Sequence, residues 1–333
     1  MRAPLIVGLA GTGLGEAECA FLARVRPFGL ILFRRNLGTA EAIATLIAEA
    51  KAASGASLVF VDQEGGRVQR LRPPLAPRYP AAAVIGALHR RDPAAGRRAA
   101  FLAGRLIAAD LLPFGFNAPC LPVADVPVPG AHDVIGDRAY GAEPERVAIL
   151  AGAAAEGVLS VGALPVVKHI PGHGRAFADS HLSLPVVDAS RAALDADFAP
   201  FRALAAMPAA MTAHVVYTAL DASRPATLSP TVVGDTIRGE IGFDGLLMTD
   251  DISMGALTGD IGENAAAAIA AGCDCVLHCN GDLGEMERIA AALPPMGEAA
   301  ARRLAACEAV LGREPGDLAD ERAEFVDLVG TPA

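Results

Sequence analysis

The feature that most constrains this chain is an alternation, repeated from end to end, of short aliphatic runs with long alanine-rich stretches. An uninterrupted apolar run suits a strand buried on both faces, and an alanine-rich stretch suits a helix laid against it. Parallel strands cannot be joined by a tight turn, so strand and helix must alternate as βαβ units. The strand candidates are Leu5–Leu9, Gly29–Phe33, Leu58–Asp62, Asn117–Val123, Leu164–His169, Ala209–His214, Gly245–Thr249 and Cys273–Cys279. Between them, 40–53, 97–110, 144–159 and 263–271 read as helices.

Eight strands with intervening helices predict a single (β/α)8 TIM-type barrel rather than an open doubly wound sheet. A chain of 333 residues is long enough for one such barrel and does not require a second domain. The barrel is expected over residues 1–312. The acidic tail 313–333 is expected to pack on its outside or to stay partly loose. With 53 % hydrophobic residues, 5 % aromatic and no Trp, the core must be aliphatic.

The polar residues sit where such a barrel would use them. Strand after strand ends in an ionisable group: Asp62, Asp125, Lys168 with His169, His214, and Asp250 with Asp251. Parallel strands deliver these ends to one rim, where barrel enzymes keep their sites. This predicts an enzyme.

A net charge of −10 without a block of like charges argues against nucleic acid and against an anionic membrane surface as partners. No apolar run reaches the roughly 18 residues of a membrane span, and Glu156 interrupts the nearest, 151–167. The N-terminal apolar run is short, broken by Gly8 and followed by Glu16, so it reads as a first core strand rather than a signal peptide. Cys19, Cys120, Cys273, Cys275, Cys279 and Cys307 lack the paired spacing of a zinc knuckle, and three fall within one apolar strand. Reduced thiols and a cytoplasmic protein are expected.

Three segments carry chemistry. The densest is KHIPGHGRAFADSHLSLP, residues 168–185, in which a strand end at Lys168 and His169 runs into a Pro- and Gly-broken loop bearing Asp179, Ser180 and His181. His173, between two glycines, can be a turn-shaping residue, and Ser180 a cap. A carboxylate close to His181 would fix its tautomer and raise its basicity. The second is GFDGLLMTDDISMGAL, residues 242–257, where a buried strand delivers Asp250 and Asp251. Neighbours on a strand point to opposite faces, so one of the two aims at a substrate and the other can cap the following turn. The third is LVFVDQEGGRVQRL, residues 58–71, with Asp62 at a strand end and Arg67 and Arg70 after a Gly pair.

These segments, together with GLILFRRN (29–36), IGDRAYG (135–141), MTAHVVY (211–217) and GCDCVLHCN (272–280), closely resemble glycoside hydrolase family 3, and within it the bacterial cytoplasmic β-N-acetylglucosaminidases of peptidoglycan recycling. The resemblance spans nearly the whole chain. Its DSH element separates this branch from members that use a distant Glu as acid. It implies Asp250 as nucleophile, His181 as acid/base with Asp179 as its partner, and Asp62, Arg70, Arg138, Lys168 and His169 as sugar-binding residues. The chain departs from the family at Thr249 for Ser, Ile170 for Phe and Thr212 for Pro, none of them a charged position.

The mechanism this resemblance implies is double displacement. Asp250 attacks the anomeric carbon while protonated His181 gives its proton to the leaving oxygen, and neutral His181 then deprotonates the water that hydrolyses the intermediate. An imidazole with an ordinary pKa of about 6.5 can serve both steps near neutral pH. The implied substrate is GlcNAc β-1,4-linked to anhydro-N-acetylmuramic acid, with or without peptide, and a monomer without metal or organic cofactor is expected. Transfer to phosphate is a close alternative, because a neutral imidazole does not repel an anionic nucleophile. A metal-dependent amidohydrolase would use Lys168, His169, His214 and Asp250 but needs an H-x-H on the first strand, where LIVGL stands. A nicotinamide enzyme would need G-x-G-x-x-G, which GLAGTGLGE does not supply. A sugar-binding barrel without chemistry would not need Asp250, Asp179 and His181 together.

Overall fold

A computed structural model describes residues 2–180 and 183–330. Eight strands share one parallel sheet: β1 (Ala3–Gly8), β2 (Pro27–Leu32), β3 (Leu58–Val61), β4 (Ala118–Pro119), β5 (Val167–Ile170), β6 (Ala209–Thr212), β7 (Leu246–Asp251) and β8 (Cys275–His278). Their order across the sheet is β4-β3-β2-β1-β8-β7-β6-β5. Each neighbour pair runs parallel, with Ile6 opposite Gly29, Leu30 opposite Val59, Leu5 opposite Val276 and Leu247 opposite Ala210. All eight predicted strands are present within a few residues of the expected bounds.

The terminal strands of that order also meet. Leu164 N–H donates to Asn117 O at 2.8 Å, Val166 N–H to Leu121 O at 2.8 Å, Lys168 N–H to Pro122 O at 3.0 Å, and Ala124 N–H to Lys168 O at 2.7 Å. Regular strand geometry in β4 stops after Pro119, short of the expected Val123. Pro119 and Pro122 have no N–H to give to a ladder, so only scattered bonds survive there.

Side chains alternate across the sheet. Leu5, Val7, Val59, Val61, Leu247 and Val276 join the layer between strands and helices, whereas Ile6, Leu58, Phe60, Leu246, Met248, Cys275 and Leu277 fill the inner face. That is the period of two expected when both faces are buried. Gly29 belongs to the crowded inner layer. A Cβ there would stand 2.9 Å from both Ile6 and Phe60.

Helices Glu16–Val25, Ala40–Ser54, Pro93–Leu111, Pro144–Ser160, Arg191–Ala203 and Ile261–Ala271 follow successive strands, and a π-helical segment, Val232–Glu240, stands between β6 and β7. Several begin on a side-chain cap, as at Thr39, Asp92, Ser190 and Asp260, each accepting a backbone N–H of the first turn. Among the described residues no helix is long and apolar enough to cross a membrane. The tail carries a helix, Ala319–Val329, laid along Pro93–Leu111, with Glu321 bonded to Arg105, Glu324 to Arg98, Arg322 to Asp110 and Phe325 against Tyr79.

Candidate active site

Because the strands are parallel, their carboxyl ends open on one side, and a cavity of about 300 Å³ lies there. Its polar lining comes from the ends of β3, β5 and β7 and from the loops that follow β3, β4 and β5.

The β3 end sets one wall. Asp62 follows the strand directly, and Gln63–Gly65 then pairs antiparallel with Val68–Gln69. The Gln63 carboxamide fastens this hairpin: its oxygen accepts from Arg70 N–H and Leu71 N–H, and its nitrogen donates to Leu71 O at 2.8 Å. That fold-back brings the Arg70 guanidinium onto Asp62 at 2.8 Å. From β5, the buried Lys168 ammonium bridges Asp62 at 3.1 Å and Glu64 at 2.6 Å. From the β4 loop, Arg138 grips Glu64 with two bonds of 2.8 Å, and its third arm donates to Val134 O. The result is one continuous run, Arg70–Asp62–Lys168–Glu64–Arg138.

Burial would raise the pKa values of these carboxyls, but the cations reverse that. Lys168 and Arg70 hold Asp62 far below the usual carboxylate range, and Arg138 with Lys168 brings Glu64 down to about 2. Burial works against the Lys168 ammonium too, and Asp62 and Glu64 outweigh it, so its pKa moves up.

Behind this wall, Asp125 is fully buried and ties two histidines. Its Oδ2 lies 2.7 Å from His169 Nδ1, and its Oδ1 accepts from His173 N–H at 2.6 Å. A carboxylate on Nδ1 leaves His169 Nε2 for the cavity. Burial, followed by the proximity of His169, lowers the His173 imidazole to about 4.

The β7 end separates the paired aspartates as strand alternation demands. Asp251 is spent on its own turn, accepting from Ser253 N–H, Ser253 Oγ and Cys279 N–H. Asp250 accepts one backbone bond, from Asp251 N–H at 2.8 Å, and it forms no ion pair among the described residues. Burial alone would raise its pKa. The imidazoles of His169 and His214, the Asp251 N–H and Lys168 together lower it, so the carboxylate is held ionised. His214 is itself fixed by Thr227 at 2.7 Å and by Asp251 O at 3.0 Å.

The structure thus brings Asp62, Arg70, Arg138, Lys168, His169 and Asp250 around one cavity. Asp179 is half-buried on the loop after β5, outside the cavity lining; its backbone carbonyl accepts from Ser183 N–H at 3.0 Å. Its neighbour Ser180 lines the cavity. His181 lies outside the described residues. Arg67, by contrast, is engaged with Asp137 on the surface at 2.8 Å and does not reach the cavity. No three His, Cys, Asp or Glu side chains among the described residues come together as a metal site.

Sequence reasoning gave no role in the site to Glu64, to His173, or to Asp125, which it placed only among the strand ends at the rim. For Glu64 a signal existed: two positions after Asp62 in an extended segment, it points to the same side. For Asp125 and His173 the sequence carried their presence near strand ends but not their mutual contact.

Residues 16–310 match the glycosyl hydrolase family 3 N-terminal domain. A β-hexosaminidase of Alkalilimnicola ehrlichii is 43 % identical over 283 residues, 83 % of this chain and 80 % of that protein. A β-hexosaminidase of Idiomarina loihiensis is 38 % identical over 308 residues, 91 % of each. Among solved structures, NagZ from Neisseria gonorrhoeae in complex with N-trifluoroacetyl-D-glucosamine superimposes with a TM-score of 0.90 at 35 % identity, covering 100 % of this chain and 98 % of that one. With strands, cavity and sequence in agreement, this chain belongs to glycosyl hydrolase family 3 and is a glycoside hydrolase.

Proposed function

We propose that the chain is a retaining exo-β-N-acetylglucosaminidase that removes non-reducing GlcNAc from peptidoglycan fragments, GlcNAc-β-1,4-anhydro-MurNAc with or without peptide. The relatives named β-hexosaminidase and the N-trifluoroacetyl-D-glucosamine complex of the gonococcal structure support the sugar class. The observation that carries the mechanism is the contrast at the end of β7. Asp251 is consumed by four donor contacts, while Asp250 is half-buried at the cavity, ionised, and left with its second oxygen for chemistry.

In the first step an Asp250 oxygen forms a bond to the anomeric carbon as the bond to the leaving oxygen breaks, and that oxygen takes the proton of His181. Asp179 stabilises the imidazolium. Water then attacks the same carbon, gives its proton to His181, and releases Asp250 as carboxylate. Asp62, Arg70, Arg138, Lys168 and His169 hold the sugar hydroxyls. We also infer that the sheet is a closed (β/α)8 barrel over residues 1–312, which the four backbone bonds between the β4 and β5 segments support. On the same reading the acidic tail buttresses the outside, and the enzyme works as a cytoplasmic monomer.

The test is release of 4-nitrophenol from its β-N-acetylglucosaminide by wild type, Asp250→Ala and Asp251→Ala, with and without phosphate. Wild type should turn over to free GlcNAc, Asp250→Ala should lose on the order of 10³-fold or more in kcat, and Asp251→Ala should keep measurable turnover. Product appearing as the sugar phosphate would replace hydrolysis by phosphorolysis. Turnover that survives in Asp250→Ala would remove the nucleophile assignment.

A further inference from the structure

The loop after β5 is held at both ends by groups that the two-step mechanism does not use. At its start, Gly172 O accepts from the Tyr217 hydroxyl at 2.6 Å, and His173 N–H is fixed on Asp125. In its middle, Arg175 is fastened to Asp197 at 2.5 Å, and Val128 and His132 donate to Gly174 O and Ala176 O. At its far end, Ser180 O accepts from Ala256 N–H at 3.1 Å. One side-chain contact joins start to end: His173 Nε2 lies 3.1 Å from Ser180 Oγ.

His173 is 3 % exposed, and its other ring nitrogen, Nδ1, meets no partner among the described residues. A buried imidazole spending its one side-chain bond on a serine seven residues along costs desolvation, so the contact calls for a task. Ser180 stands between Asp179 and His181 in the chain. Burial lowers the His173 imidazole to about 4, so the ring that meets Ser180 is the neutral one at neutral pH.

We propose that His173, through Ser180, is a positioning residue that fixes the Asp179–Ser180 stretch and so aims the proton-transfer pair at the leaving oxygen. The inference rests on reading Asp179 and His181 as that pair. Asp125 anchors the device to His169: one carboxylate orients the imidazole facing the sugar and the backbone of His173. Misplacing an acid by about 1 Å costs roughly 10²-fold in rate, whereas substrate binding, made by groups on β3, β5 and the β4 loop, is left in place.

The experiment uses two substrates differing in their need for acid assistance: 4-nitrophenyl β-N-acetylglucosaminide, whose leaving group departs without a proton, and a GlcNAc-β-1,4-linked disaccharide, which requires one. Ser180→Ala, His173→Asn, His173→Gln and His181→Ala are compared with wild type, with thermal melting run on each. Ser180→Ala and His173→Asn should lose roughly 10- to 100-fold in kcat/KM, which reports the leaving-group step alone, on the disaccharide, and several-fold less on the nitrophenyl substrate. His173→Gln, whose carboxamide reaches where Nε2 stood, should recover most of the loss, and Asn, which reaches only Nδ1, should not. Equal losses on both substrates would overturn the positioning role even for a well-folded variant. If His181→Ala itself shows no dependence on the leaving group, the proton-transfer reading fails and takes the inference with it. A His181→Ala that shows the dependence beside a Ser180→Ala that does not overturns only the inference.

Discussion

Replacing Glu64 by Gln removes one charge from the partly buried run Arg70–Asp62–Lys168–Glu64–Arg138 while keeping its shape, because the carboxamide is isosteric with the protonated acid. The structure sets the size of the effect. The Glu64 carboxyl titrates near 2 in the folded chain against an ordinary 4.5, under the pull of Arg138 and Lys168 that overcomes its burial. Each unit is worth about 1.4 kcal/mol, so the ionised form contributes about 3 kcal/mol at neutral pH. Breaking a buried pair from one side costs about 3–5 kcal/mol by general experience, which agrees. With an unfolding entropy of about 2.1 cal/mol/K per residue, about 0.7 kcal/mol/K for the chain, the melting temperature should fall by about 4–5 °C at pH 7. The sign of the pH dependence is fixed as well. The folded pKa is depressed, so the contribution is complete above about pH 4.5 and is lost as pH falls toward 2. The gap between wild type and Glu64→Gln should therefore narrow on acidification below pH 4.5. Calorimetric melts at pH 7, 5 and 3.5 measure it. A gap under about 1 °C at pH 7, or one that widens in acid, would refute the reasoning.

Asp125→Asn deprives His169 Nδ1 and His173 N–H of their shared carboxylate, and kcat/KM on the nitrophenyl substrate should fall by about 10-fold or more while the protein stays folded at 25 °C. Lys168→Met removes a cation that helps keep Asp250 ionised, so the acid limb of the kcat/KM profile should move to higher pH; an unmoved or lowered limb would contradict the assignment of that limb to Asp250. Gly104→Ala gains about 1 kcal/mol of helix propensity, yet its Cβ would stand 2.0 Å from Ala154 O where two helices cross, so the net effect should be a loss of about 1–3 kcal/mol. A thermal melt that rises in Gly104→Ala would show that the two helices can part without cost.

Periodicity made the architecture legible. Every strand of the sheet was foreseeable because both faces are buried, and a continuous run such as Leu58–Val61 has no other reading once alanine-rich helices flank it. Legibility faded where a local rule was outvoted. Asn117–Val123 looked like one strand, but Pro119 and Pro122 allow only scattered bonds to the Leu164–Lys168 segment. The helix Ala319–Val329 carries a weak apolar face, and what holds it is a set of partners some 200 residues away, Arg98, Arg105 and Asp110. Within the site, Asp62, Lys168, His169 and Asp250 were visible as strand ends. Arg70 and Arg138 came through resemblance, since nothing local reveals that they face Asp62 and Glu64. Asp251 shows the opposite case: alternation alone said that one of the adjacent aspartates had to face away, and its bonds to Ser253 and Cys279 account for where it went.

The charges of the cavity suit two-step chemistry. Apart from Asp251, whose carboxylate is turned onto the Ser253 and Cys279 donors, three cations, Arg70, Arg138 and Lys168, stand against three carboxylates, Asp62, Glu64 and Asp250. Two of those carboxylates are locked onto the cations by direct contact. Asp250 is not, and feels them through the cavity. While it is free, the set is balanced and the carboxylate is available without a strong partner to blunt its nucleophilicity. Once it is esterified to a sugar its charge disappears, and the fixed cations leave an excess of one positive charge around the new bond. That excess favours the return of the carboxylate, so the same arrangement that keeps Asp250 ionised assists its departure in the second step. Preorganised charge of this kind needs no rearrangement at the moment of reaction. It does need the cations to stay where they are, which is the work of Asp62 and, above all, of the buried Glu64.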